Sequence, residues 1–167
     1  MKEAKKLLLI GPMGAGKSTL GKILSKELSW EYFDNDLDFR STHGLSLRDL
    51  EDLPVDELHK LEREYLIEII NRPAPFISGA AGSVVDTEPI RELIKTTFAV
   101  YLRLPLEKII ERAGTAGVGR QAIASNGIQI LTERFEKRDP LYKECSKVTI
   151  ELSDSPEADA KKILDLL

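Results

Sequence analysis

Apolar residues fall into two rhythms along this chain. Leu7-Leu8-Leu9-Ile10, Phe76-Ile77-Ser78 and Thr97-Phe98-Ala99-Val100-Tyr101-Leu102 are short, nearly continuous runs, the pattern of strands buried on both faces of a parallel sheet. Glu31-Tyr32-Phe33 and Val148–Leu152 read as two shorter strands. Between the runs the spacing turns helical. Leu20, Ile23, Leu24 and Leu28 share one face over Ser18–Leu28, and Leu58, Leu61, Tyr65 and Ile69 share one face over Pro54–Asn71. Pro54 sits where a first-turn proline is tolerated, and Pro73 and Pro75 stop the helix. Further helices are expected over Glu88–Lys95, Pro105–Ala113, Asn126–Lys137 and Pro156–Leu167, with a helical turn near Leu45–Leu50. Strands alternating with helices predict an α/β fold with a parallel sheet covered on both faces. Gly114–Gly119 holds three glycines in six positions, without periodicity, and is expected to be a mobile loop of the kind that serves enzymes as a lid.

Composition narrows the class. A chain of 167 residues fits one domain, 1–167, with a core of ordinary size. The net charge of −4, from 24 basic and 28 acidic residues, argues against nucleic acid as a partner. Cys145 is the only cysteine, which excludes an intrachain disulfide, suits the cytoplasm and reads as a small packed residue. The charged start Met1–Lys6 leads into only four aliphatics, too few for a signal peptide, and no run approaches membrane-spanning length.

The chemistry begins directly after the first strand. Residues 11–18 read Gly-Pro-Met-Gly-Ala-Gly-Lys-Ser, which fits G-x-x-x-x-G-K-[ST] between a strand and a helix. Gly11, Gly14 and Gly16 let the backbone turn its N–H groups into a nest for phosphate oxygens, with Ala15 and Thr19 in the same segment. The helix that follows adds its dipole. Lys17 supplies charge to the outer phosphates and Ser18 a hydroxyl for Mg²⁺. Asp34 and Asp36 follow the second strand, at the end of the sheet where ligands bind. One can hold Mg²⁺ through its waters and the other can take a proton from a hydroxyl, although aspartate there also suits a helix N-cap. Arg120, after the glycine-rich segment, is placed to offset phosphoryl charge, and Arg138 to fork onto a carboxylate. His43 and His59 give no zinc pattern, and no Ser-His-Asp or Cys-His constellation emerges.

Taken together these residues resemble the shikimate kinase family, a nucleoside-monophosphate-kinase-like branch of the P-loop folds, over nearly the whole chain. The resemblance is carried by the P-loop, by Phe33-Asp34-Asn35-Asp36, by Gly119-Arg120-Gln121-Ala122-Ile123 and by Lys137-Arg138-Asp139-Pro140-Leu141-Tyr142. It implies a five-stranded parallel sheet in the order 2-3-1-4-5 and transfer of the γ-phosphoryl of ATP, with Mg²⁺, to a hydroxyl of shikimate. It further implies a monomer, a lid over 113–124 and an acceptor region over 34–63. By position, Asp34 and Ser18 would serve the metal, and Lys17, Asp36 and Arg120 the reaction. Ser78 would take a Walker-B-like place, and Arg112 and Pro156 would flank adenine. Arg138, with Asp36, would bind the acceptor.

Three departures lie on the acceptor side. His59 stands where the family has a second arginine, Ala80-Ala81-Gly82 replaces three glycines, and Arg40 replaces a common acid. Each alanine adds a methyl and disfavours positive φ. Lys60 and Arg40 are the basic residues at hand to make up the missing arginine. A kinase of the same fold for another hydroxy acid, sugar acid or cyclitol is therefore an alternative. A nucleotide-binding protein with little turnover is a second, and a nucleoside monophosphate kinase a weaker third.

Overall fold

Alternation in the first strand divides the core. In the computed structural model, which describes residues 3–35, 38, 44–116 and 121–167, β1 (Lys6–Ile10) sends Leu7 and Leu9 to one face of the sheet and Leu8 and Ile10 to the other. All four are buried, as a strand at the centre of a two-sided sheet requires. The remaining strands are β2 (Glu31–Asp34), β3 (Phe76–Gly79), β4 (Phe98–Arg103) and β5 (Val148–Glu151). They form one parallel sheet in the order β2-β3-β1-β4-β5, with Leu8 opposite Ser78 on one side and Ala99 on the other.

The helices among the described residues include α1 (Lys17–Leu28), α2 (Leu47–Asp52), α3 (Val55–Ile70), α4 (Glu88–Ile94), α5 (Leu106–Ala116), α6 (Gln121–Cys145) and α7 (Pro156–Leu166), with a 3₁₀ turn at Gly82–Asp86. Leu20 and Leu24 of α1, Ile109 of α5 and Ile163 of α7 pack with Leu7 and Leu9. Leu66 and Ile70 of α3, Ile90 and Ile94 of α4, and Tyr142 and Cys145 of α6 pack with Leu8 and Ile10. A third cluster joins Leu58, Tyr65 and Ile69 of α3 to Phe33 and Phe76. Cys145 is buried, and burial pushes its thiol up to about 11, as suits a packed residue.

Three expected boundaries are corrected. Helix α5 runs on to Ala116, into the stretch expected to be loop, and α6 starts at Gln121 instead of Asn126. A glycine costs a helix only about 1 kcal/mol, which packing of the rest of the helix offsets. Helix α6 also passes through Pro140 to Cys145 instead of ending at Lys137. Proline gives up one backbone hydrogen bond, while Asp139, Tyr142 and Cys145 anchor the last turns by burial. Asp36, Arg40, His43 and residues 117–120, with Arg120 and the middle of the expected lid, lie outside the described residues.

Candidate active site

The strand order places three loops side by side. β2, β3 and β1 are neighbours and parallel, so Asp34, Ala80–Gly82 and the loop after Ile10 leave the sheet at the same end. Ligands of open α/β sheets bind at this end.

The loop after β1 has the shape its sequence demands. Gly14 and Gly16 take φ of 80° and 86°, the left-handed region where a side chain is strained. Gly16 is the N-cap of α1 and no side chain caps the helix, so the first amides of α1 are left to an incoming anion. Lys17 Nζ donates to the Gly11 and Pro12 carbonyl oxygens, both at 2.8 Å, which holds its charge over the loop. Gly14, Gly16, Lys17, Ser18 and Thr19 line a cavity of about 310 Å³ together with Asp34, Glu62, Ala80, Ala81 and Gly82. Hard oxygen donors on Ser18 and Asp34 in a phosphate nest suit Mg²⁺, which keeps few protein ligands. Ala15 turns its methyl into the core, and its N–H closes a turn onto the Pro12 carbonyl. Its part is to shape the loop.

Asp34 is buried at the end of β2. Its Oδ2 accepts from the Tyr32 hydroxyl at 3.2 Å, and its backbone N–H donates to Asp38 at 2.7 Å. Ser78 is buried one position before the end of β3. Arg112 donates to the Gly14 carbonyl at 2.8 Å and lines a small cavity with Met13, Ala113 and Arg134. Pro156 opens α7 behind the Ser155 cap and is not among the residues lining these cavities.

A second cavity, of about 120 Å³, adjoins the first, and Met13, Glu62 and Gly82 line both. Two helices build it. In α3, Leu58, Tyr65 and Ile69 face the core, which turns Val55, His59 and Glu62 to the cavity. In α6, Leu131, Arg134, Arg138 and Tyr142 recur at helical spacing on the facing wall. Arg138 is forked, as expected, but the carboxylate it grips is the chain's own Asp86: Nε and Nη2 donate to it at 2.9 and 2.8 Å. Burial opposes the Asp86 carboxylate, yet the Arg138 guanidinium outweighs it and holds the carboxyl below its usual range.

The acceptor-loop alanines prove unstrained. Ala81 has φ −62°, and the positive-φ glycines among the described residues are Gly11, Gly14, Gly16 and Gly44. The Ala80 methyl is core and the Ala81 backbone opens the 3₁₀ turn. Gly82 is the tightly packed position of the three: a Cβ there would lie 3.2 Å from the Tyr142 hydroxyl, which donates to the Gly82 carbonyl at 2.7 Å. Lys60 does not make up for His59, because it points outward and pairs with Glu64 at 3.9 Å.

Sequence reasoning missed three residues of this site and named Tyr142 only within a matched motif. Asp86 accepts from Arg138, Glu62 accepts from the Ser83 hydroxyl at 2.7 Å, Arg134 lines the second cavity, and Tyr142 donates to Gly82. Helical spacing was the available signal for two of them: Glu62 follows His59 by three positions and Arg134 precedes Arg138 by four.

A phosphate loop joined to a polar cavity with a cationic wall defines a P-loop phosphotransferase for a small molecule. The family model for shikimate kinase matches residues 13–167. Shikimate kinase from Buchnera aphidicola is 31% identical over 160 residues, covering 92% of this chain and 90% of that protein. The bifunctional shikimate kinase/3-dehydroquinate synthase of Thermotoga maritima is 31% identical over 97% of this chain, which spans 32% of its length. The structure of shikimate kinase from Acinetobacter baumannii in complex with shikimate superposes with a TM-score of 0.87 at 30% identity, covering 97% of this chain and 92% of that one. The chain belongs to the shikimate kinase family. It is an ATP-dependent kinase that uses Mg²⁺. Among the described residues no helix is long and apolar enough to cross a membrane.

Proposed function

We propose that this enzyme transfers the γ-phosphoryl of ATP to a hydroxyl of shikimate. The observation that carries the reading is the shared wall of the two cavities: Met13, Glu62 and Gly82 line both, so the cavity along the phosphate loop adjoins the one that Arg138 lines. An acceptor held against Arg138 lies beside phosphates held by the loop, and such positioning is most of what phosphoryl transfer needs.

ATP with Mg²⁺ supplies the phosphoryl group and the charge that eases its departure from ADP. The amides at the start of α1 and Lys17 would hold the outer phosphates, and Ser18 and Asp34, which line the same cavity, would hold the metal. Arg112 fixes the loop through the Gly14 carbonyl on the nucleotide side. Asp36, which the sequence sets two residues past Asp34, takes the hydroxyl proton, and Arg120 offsets charge on the transferred group. Arg138, steadied by Asp86, orients the acceptor's carboxylate. The enzyme works as one kinase domain and a monomer in the cytoplasm, with neither nucleic acid nor membrane as partner.

His59 favours a second reading, a related hydroxy acid or cyclitol as acceptor, because a neutral imidazole gives one donor where arginine gives a charged fork. A panel of shikimate, quinate, gluconate and myo-inositol with Mg·ATP decides between them. The expected kcat/KM is highest for shikimate, by roughly 100-fold or more. A higher value for any other member transfers the assignment to that acceptor.

A further inference from the structure

His59, whose imidazole is not a permanent cation, lines the acceptor-side cavity. Among the described residues, the arginines lining it are Arg138 and Arg134, with His59, Glu62 and Asp139 as the other ionisable groups besides Tyr101 and Tyr142. We propose that Arg134 is a specificity-determining residue of the acceptor site, forming with Arg138 a two-arginine clamp for the acceptor's carboxylate. The inference rests on the carboxylated acceptor proposed above.

Position makes the pair. Arg134 and Arg138 stand one helical turn apart on α6, so their side chains leave the same face toward the same cavity. Arg138 alone is a weakened clamp. Two of its nitrogens are committed to Asp86, whose charge offsets its own. Among the described residues, Lys60 pairs with Glu64, Lys137 stands 3.6 Å from Asp86, and Arg103 and Lys143 both bind Asp139 of the cavity wall.

Both acidic members of the cavity carry bonds of their own. Asp139 already accepts from the Tyr101 hydroxyl at 2.7 Å, from Arg103 at 2.8 Å and from Lys143 at 2.8 Å. Glu62 accepts from Ser83. Arg134 also lines the small cavity beside Gly14 and Arg112, which makes a nucleotide role its main competitor. Arg134 shares the wall of the acceptor-side cavity with Arg138 and Tyr142, whose hydroxyl is bonded to Gly82.

Steady-state kinetics of the whole chain test the assignment, with shikimate and its methyl ester as acceptors and Arg134→Gln and Arg134→Lys as variants. One charge-assisted hydrogen bond corresponds to a roughly tenfold to hundredfold change, so Arg134→Gln should raise the shikimate KM by about that factor. The methyl ester KM and the ATP KM should stay within about threefold, because neither reads the lost pairing of opposite charges. Arg134→Lys should recover part of the loss. The wild-type shikimate KM should be flat between about pH 6 and 8, because arginine does not titrate there. An unchanged shikimate KM in Arg134→Gln overturns the proposal. So does an ATP KM that rises as much as the acceptor KM, or an equal loss for the ester. A wild-type KM that falls as the pH drops through the histidine range assigns the clamp to His59 instead. Wild-type protein that phosphorylates another acceptor but not shikimate overturns the proposed acceptor itself, a failure visible before any variant is compared.

Discussion

Lys17 Nζ donates to two carbonyls of the loop it is meant to charge, so the same side chain braces the loop and faces the phosphates. The two duties predict different losses. Each neutral-acceptor hydrogen bond contributes about 1 kcal/mol or somewhat more to folding, whereas a cation aimed at developing phosphate charge lowers the barrier by several kcal/mol. Lys17→Ala is therefore expected to lower kcat by about 100-fold or more while shifting the thermal midpoint by only a few degrees. Stopped-time assays beside a melting curve separate the two. Near-normal kcat in a folded variant would contradict the phosphate-loop reading.

Helices α3 and α6 carry the proposed acceptor cavity because each has one face on the core and one on the cavity. The core face was legible in the sequence: Leu58, Leu61, Tyr65 and Ile69 repeat at helical spacing, and the doubly apolar runs mark the central strands just as clearly. The cavity face was legible only in part. His59 and Arg138 stood out through the family resemblance, but Glu62, Arg134 and Asp86 look like ordinary surface charges until the fold brings α3, α6 and the 3₁₀ turn together. The end of α6 was illegible for a local reason: Pro140 reads as a stop, and only the burial of Asp139 and Tyr142 shows why the helix continues. The same tertiary contacts predict the cost of removing Asp86. Its pair with Arg138 ties the 3₁₀ turn to α6, with side-chain exposures of 17% and 16%. Losing one partner of a buried pair costs about 3–5 kcal/mol, and partial exposure lowers that here to about 1–3 kcal/mol. Urea unfolding of Asp86→Ala should show this loss and Asp86→Asn a smaller one, because the amide keeps an acceptor for the guanidinium.

The sheet as a whole is tied to α6 through Asp139, which receives Tyr101 and Arg103 of β4 and Lys143 of its own helix. Burial works against this carboxylate, but Arg103, Lys143 and Tyr101 outweigh it and hold it at about 2, below the usual 3.8. A depressed carboxyl lends stability above its unfolded value and loses it as the pH falls through the folded value. The unfolding free energy should therefore drop as the pH falls from about 4 to about 2. Asp139→Asn, less stable at neutral pH, should show a shallower drop across that window; equal slopes would remove Asp139 from the acid response.

The same sheet holds donor and acceptor cavities against one another, and phosphorus NMR of shikimate with Mg·ATP and the unaltered enzyme follows the consequence as it happens. The expected result is a phosphomonoester resonance that grows in step with the loss of the ATP γ-phosphorus and the appearance of ADP, with no inorganic phosphate accumulating. ATP left intact, or ADP formed with inorganic phosphate alone, would contradict a site built to pass the phosphoryl group from the loop after β1 to shikimate.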